Sequence, residues 1–278
     1  MELNPLRQYF RQPAIYIRLP SNGSFYPDGA LERTENNEYP VLPMTTIDEI
    51  TYRTPDALFN GSAVVSVIQS CIPNIKNAWH MPTMDIDTIL VAIRMATYGH
   101  ELEINTQCPH CTHLDELTVD LRNVIDRIRP PNYKECMDVG DLKIFFKPMS
   151  YNDINQNSLR QFEDQKTMQM LQDSELDEEA KVKQLGEVLK KITTFTSVAL
   201  SQSIAMVQTP QARVVDPAHI AEWLANCDRN LFAKVRDHIL NAKAEAELQP
   251  LTITCNECKK EYKQTYTLDM TTFFEGAS

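Results

Sequence analysis

Apolar positions along this chain follow two different periods. Between residues 101 and 120 they alternate with polar positions, in ELEINTQ and LDELTVDL, which predicts two strands. A second alternating pair lies near the end, in LTIT and KKEYKQTYTLDM. In most of the remaining chain, apolar residues recur every three or four positions, which predicts amphipathic helices. The pattern therefore predicts an α+β fold in which short hairpins are combined with helices.

Start and stop signals set the limits of the predicted helices. A proline follows an N-cap residue at Thr54-Pro55, and Gly99 stands where a helix ends. Residues 150–247 have the helical period almost throughout. Helices are predicted at 55–59, at 62–71, from Asp85 or Asp87 as the cap to Gly99, at 121–128, from about Glu175 to Met206, and after Asp216 and Asp228.

Each of the two predicted hairpins contains a CxxC turn. CPHC spans residues 108–111 and CNEC spans residues 255–258, and each stands between two predicted strands. Two intervening residues allow both thiolates of a tight turn to bind one ion, and two such turns complete a tetrahedral site. We therefore predict a structural zinc ion whose ligands are Cys108, Cys111, Cys255 and Cys258.

The separation of the two pairs is unusual for a zinc ribbon. Such pairs normally lie about 15–20 residues apart, whereas 143 residues separate Cys111 from Cys255. The matching strand context of the two turns supports the pairing, because each hairpin ends in a Thr-x-Asp-apolar run. The predicted segments are an N-terminal arm or small sheet (1–50), a helical segment (51–100), a split zinc ribbon (101–121 plus 249–272) and a mainly helical insertion (122–248).

Two other functions are compatible with the cysteine turns. CPHC also occurs in thiol-disulfide oxidoreductases, where the first cysteine begins a helix that lowers its pKa. A zinc ribbon can also bind nucleic acid, and Lys259, Lys260 and Lys263 lie beside Tyr262. His110 and His113 are interpreted as surface residues of the turn, and the remaining Cys71, Cys136 and Cys227 as small buried apolar residues.

Composition narrows these alternatives. The 278 residues carry a net charge of −11, which disfavours nucleic acid as the main partner. The sequence contains no GxGxxG or GxxxxGK[ST] phosphate loop and no apolar run of about 20 residues that spans a membrane. The first residues, MELNPLRQYFRQPAIY, lack the apolar core of a signal peptide, so we expect a reducing cytoplasm, where paired cysteines favour metal over disulfides.

Three stretches in a fixed order carry a resemblance to a known family. They are NPLRQYFRQPAIYIRLPSNGSFY (4–26), LFNGSAVVSVIQSCIPNIKNAW (58–79) and MDIDTILVAIRMATYGHELEINTQCPHC (84–111). Together they resemble the baseplate hub subunit family of T-even-type contractile-tailed bacteriophages, over about residues 1–121.

The resemblance implies a non-enzymatic phage tail protein. Such a protein is a component of the baseplate hub or a chaperone-like assembly factor for it, and it acts in the host cytoplasm during assembly or in the virion tail. The partners implied are other tail and hub proteins, including the tape-measure protein. The loop-like N-terminal segment suggests a contact surface made of Asn4, Arg7, Phe10, Tyr16, Phe25 and Tyr26. The alternative is that its aromatic side chains pack on the protein's own core.

Overall fold

The computed structural model describes residues 4–55, 60–172, 186, 195–246 and 250–264. Within these ranges, helices alternate with small antiparallel sheets, which confirms the predicted mixture. The strands are β1 (Ile15–Ile17), β2 (Tyr39–Val41), β3 (Glu101–Gln107), β4 (Leu114–Asp120), β5 (Met137–Val139), β6 (Leu142–Phe146), β7 (Ile204–Gln208), β8 (Arg213–Val214), β9 (Leu251–Thr254) and β10 (Glu261–Gln264). The α-helices are α1 (Thr46–Tyr52), α2 (Ser62–Cys71), α3 (Ile86–Tyr98), α4 (Leu121–Arg127), α5 (Tyr151–Gln172), α6 (Pro217–Asn226) and α7 (Arg229–Ala246), and residues 195–202 are also helical. None of the described helices combines the length and the apolar character needed to span a bilayer.

The chain divides into two compact units. One combines Met1–Pro130 with Ala246–Ser278, and the other is Pro131–Glu245. The first unit is therefore built from both ends of the chain and contains both cysteine turns. The finer division into four segments stays a prediction.

Two helices, α2 and α3, are the most deeply buried elements of the first unit. The predicted helix at 62–71 is confirmed as α2, and α3 is buried without interruption from Thr88 to Arg94. β1 pairs with β2, and Tyr39 and Val41 of β2 are completely buried. Residues 1–50, predicted as an arm or a small sheet, thus include a two-stranded sheet whose second strand belongs to the core. The predicted helix at 55–59 lies almost entirely outside the described residues.

Asp85 precedes α3, as predicted, but its side chain does not cap the helix. The carboxylate instead accepts hydrogen bonds from the Ser21 backbone N–H (2.8 Å), the Ser21 hydroxyl (2.6 Å) and the Tyr26 hydroxyl (3.0 Å). Burial raises the pKa of Asp85 to about 6, although these hydrogen bonds act in the opposite direction. Asp85 therefore holds the turn at Asn22-Gly23 against the start of α3.

The second unit is an antiparallel sheet in the order β5-β6-β7-β8, packed against helices. The predicted long helix was wrong at its end, because Met206 lies in β7 and pairs with Phe145 of β6. Continuous apolar runs are compatible with a helix or a buried strand, and here pairing with β6 decides the outcome. The remainder of that prediction falls largely on residues outside the description. The buried core of this unit consists of Ile144, Phe146, Ile204, Val207, Ile220, Leu224 and Val235.

Candidate metal centre

The first cysteine turn stands at the tip of the long hairpin formed by β3 and β4. These strands pair over seven residues each, from Glu101 opposite Asp120 to Gln107 opposite Leu114. The Cys108 N–H donates to the His113 carbonyl (2.9 Å), and the Thr112 N–H donates to the Cys108 carbonyl (2.9 Å). Thr112 has a positive φ of 59°, which lets the chain reverse after the second cysteine.

The second cysteine turn repeats this geometry residue for residue. The Cys255 N–H donates to the Lys260 carbonyl (3.0 Å), and the Lys259 N–H donates to the Cys255 carbonyl (3.1 Å). Lys259 has a φ of 57°, at the position that corresponds to Thr112. The two CxxC segments are therefore the same kind of turn, and the described parts of the flanking strands β9 and β10 have four residues each. Residues 265–272, the end of the predicted second ribbon, lie outside the description.

The four predicted sulfur atoms lie close together. Cys108 Sγ is 3.7 Å from Cys258 Sγ, and Cys111 Sγ is 3.6 Å from Cys255 Sγ. All four Sγ atoms lie within 4.8 Å of one another. A tetrahedron with metal–sulfur bonds of about 2.3 Å has edges of about 3.8 Å, which matches the separations of 3.6 and 3.7 Å between the hairpins.

Both of these short separations join one hairpin to the other. A disulfide requires about 2.05 Å between sulfurs, and all four thiols are free. The first cysteine of each turn, Cys108 and Cys255, is completely buried, whereas Cys111 and Cys258 are half-buried. The arrangement is a closed cluster of four thiols that can bind a metal ion between the two hairpins.

The ionisation of these thiols favours a bound cation. Burial raises the pKa of the Cys108 thiol, whereas hydrogen bonds from the backbone N–H groups of His110 and Cys111 and from neighbouring thiols lower it. The net result is a pKa lowered to about 7. For Cys111, the His113 N–H lowers the pKa, but burial and hydrogen bonds with the other thiols raise it to about 12. Once one thiolate has formed, a positive ion is needed to stabilise further thiolates beside it.

Two polar contacts reinforce the junction between the hairpins. The buried carboxylate of Asp115, on β4, accepts hydrogen bonds from the Asn256 side-chain amide (2.9 Å) and backbone N–H (3.3 Å). Thr106 Oγ1 and the buried Tyr262 hydroxyl are 2.9 Å apart. The hydrogen bonds from Asn256 hold the pKa of Asp115 below its ordinary value. These hydrogen bonds between the hairpins orient the two cysteine turns toward each other.

Sequence reasoning missed these four residues as parts of the site. The bonded partners are 141 and 156 positions apart, so no local spacing relates them. Asn256 lies between the cysteines of CNEC, and its position inside the turn was the one available signal.

The other predicted features of the site have mixed outcomes. His110 and His113 are exposed, as expected for surface residues of the turn. Cys71 is buried, but Cys136 and Cys227 are only half-buried, so the prediction was wrong for these two. Both belong to loops beside β5 and α6, where solvent reaches one side of the residue.

The geometry disfavours both alternative uses of the turns. CPHC leads into β4 instead of a helix, and Cys108 is buried, which denies a substrate disulfide access to its sulfur. Lys259, Lys260 and Lys263 are exposed, but the Tyr262 ring is buried and cannot stack on a base.

Comparison with known proteins gives the family. The sequence model of the family described as T4 bacteriophage base plate protein matches residues 38–275. This chain belongs to that family. The matched residues include both cysteine turns and the compact unit between them, which lies beyond the range of about 1–121 over which the resemblance was seen. Comparison with curated proteins and with solved structures gave no significant match.

Membership implies interaction with other baseplate proteins and a place in the virion tail. The predicted T-even-type tail relationship is thus confirmed at the level of a T4-type baseplate protein. The narrower assignment to the hub stays a prediction.

Proposed function

We propose that this base plate protein is a non-enzymatic component or assembly factor of the tail baseplate hub, with a structural zinc ion bound by Cys108, Cys111, Cys255 and Cys258. The observation that carries the proposal is the convergence of two matched CxxC turns within the segment that matches the family. Resemblance of residues 4–26, 58–79 and 84–111 to hub subunits supports the hub as its place of action.

Zinc is the proposed metal because of the ligand set and the geometry. Four sulfur ligands at tetrahedral spacing suit zinc or iron, and zinc is the usual ion of Cys₄ turns in structural ribbons. With four protein ligands the ion has no open position for a substrate or a water molecule, so it does not act as a Lewis acid. Its role is to hold the C-terminal hairpin on the N-terminal one.

The metal assignment is tested by elemental analysis of the purified full chain. We expect about one zinc per chain and no iron absorption bands. One iron per chain would replace zinc in the proposal, and absence of any metal would remove the structural ion from it.

The hub assignment is tested in infected cells. A phage that lacks the gene should fail to complete baseplates, and a tagged copy supplied from a plasmid should restore them. Hub proteins or the tape-measure protein should co-purify with the tagged copy. Presence of the chain in purified virions identifies a component, whereas its presence only in assembly intermediates identifies an assembly factor. A phage that builds normal tails without the gene would contradict the proposed function.

A further inference from the structure

The N-terminal segment exposes its apolar side chains. Leu6, Tyr9 and Phe10 are 62%, 77% and 55% exposed. The 3₁₀ helix Pro5–Tyr9 buries none of its residues. Its order therefore does not come from packing of its own apolar groups into the core.

A polar side chain attaches this segment instead. Arg11 Nη2 donates to the Ser70 carbonyl (2.8 Å) and hydroxyl (2.7 Å), at the end of α2. Arg11 Nη1 donates to the Pro43 carbonyl and to Asp48 Oδ2 (3.1 Å), at the start of α1. The guanidinium thus fastens the segment to two helices while the neighbouring aromatic side chains face outward.

Helix α1 has the same inverted arrangement. Asp48 and Tyr52, four positions apart, are buried, whereas Ile47 and Ile50 are 74% and 63% exposed. An ordinary surface helix turns its isoleucines inward and its aspartate outward. Here Asp48 points inward because it binds Arg11 and also accepts hydrogen bonds from Thr45 in a capping box.

The Arg11–Asp48 ion pair makes these two elements neighbours. We call the exposed apolar side chains of these two elements the outward apolar patch: Leu6, Tyr9, Phe10, Ile47 and Ile50. Exposed apolar side chains on neighbouring elements mark interaction sites in soluble proteins.

Positive charge accompanies the patch. Residues 4–18 contain three arginines and no Asp or Glu, in a chain whose net charge is −11, but Arg11 is paired with Asp48 and Arg18 with Glu38. Arg7 lies between the exposed Leu6 and Tyr9 and is itself exposed, and the exposed Arg53 follows α1. A partner that fits this region has an apolar centre and carboxylates at its edge.

We propose that the outward apolar patch is the docking face for another baseplate protein, whose contact surface is apolar at its centre and acidic at its rim. This proposal rests on the proposed function, since it assumes that the chain acts in baseplate assembly. A second copy related by a twofold axis fits less well, because such an axis places each patch, with its arginines, against the same patch.

The test uses the tagged full chain, co-expressed singly with each of the other baseplate proteins of the phage that encodes it. We expect one of these proteins to co-purify in a salt-sensitive manner. Ile47→Glu should weaken that binding by about tenfold or more, because it places a carboxylate in an apolar centre that faces an acidic rim. Arg7→Glu should weaken it in the same direction. Val215→Glu is the matched control, since Val215 is a similarly exposed apolar residue in the other compact unit, and it should bind normally.

Equal zinc content and equal thermal unfolding of the variants show that folding is unchanged. Binding by Ile47→Glu at wild-type strength overturns the proposal, as does failure of every baseplate protein to bind, or self-association as the sole interaction that Ile47→Glu removes. Complementation of a gene-deficient phage distinguishes a failure of the docking proposal from a failure of the proposed function. Full rescue of a gene-deficient phage by Ile47→Glu overturns the docking face but leaves the proposed function intact, whereas normal tails without the gene contradict the function itself.

Discussion

Replacement of Cys255 by serine removes one of the four thiols and leaves the other three in place. Cys255 Sγ is completely buried and lies 3.6 Å from Cys111 Sγ, so this change acts on a contact between the two hairpins. Apparent binding energies of structural zinc in small zinc-finger peptides are about 10–16 kcal/mol. Divided over four ligands, one thiolate accounts for about 3 kcal/mol, which corresponds to a loss of zinc affinity of about 100-fold or more.

The structural consequence falls on the C-terminal hairpin. Among the described residues, β9 and β10 form a sheet of two strands, and such hairpins are marginal in water without further support. Their buried contacts, Ile253 and Tyr262, belong to the same small cluster as the cysteines. Weaker zinc binding should therefore release residues 250–264 before it affects the unit Pro131–Glu245.

Chelator competition and limited proteolysis measure the two effects. Zinc transfer from Cys255→Ser to a colorimetric chelator should be about 100-fold more favourable than from the wild type, and early proteolytic cuts should fall near the C-terminal hairpin. Cys227→Ser is the control, because Cys227 belongs to the other unit and lies outside the thiol cluster. Full zinc retention by Cys255→Ser, with an unchanged digestion pattern, would refute the shared site.

Three further results are expected. Asp115→Ala should speed zinc loss to a chelator by about tenfold, because it removes the acceptor of both Asn256 hydrogen bonds. A rate equal to that of the wild type would contradict the role of Asp115 in holding the second cysteine turn in place. The raised pKa of Asp85 means that its carboxyl holds a proton more tightly in the folded than in the unfolded chain, so its contribution to stability is greatest below about pH 4 and declines as pH rises through about 6. In thermal melts, the stability difference between wild type and Asp85→Asn should move in favour of the variant over that pH range by about 3 kcal/mol, and a constant difference would argue against this role. Ile144→Ala should destabilise the second unit by about 2–5 kcal/mol in denaturant melts, with zinc content unchanged; loss of zinc in this variant would show that the units are not independent.

The cysteine cluster was predictable because its information is local and repeated. Each CxxC turn has a fixed spacing, and the alternating strands on both sides identify it as a hairpin tip. The partners of Asp115 and Tyr262 were not predictable, because those hydrogen bonds join residues that only the folded chain brings together. A single sequence contains no signal for such pairs.

Some helices were also predictable from the sequence. Tertiary contacts decided the structure at other positions. α2 was expected over residues 62–71, and α6 was expected from its start at Asp216-Pro217; both are present. Met206 was expected in a helix and lies in β7, because an edge of β6 was open to pair with it. Asp85 was expected to cap α3, and its carboxylate instead binds a turn about sixty residues earlier in the chain.

The order of the four cysteines along the chain also sets a sequence of events during synthesis. The ribosome completes the first turn, then adds 143 residues before Cys255 exists. At roughly 5–20 residues per second, the early thiols wait on the order of ten seconds or more for their partners. The unit between them can fold during that interval, so that binding of the proposed metal becomes a late step that has to wait for the second cysteine turn. Truncated products that end before residue 255 lack half of the ligands and keep an open, reactive pair of thiols.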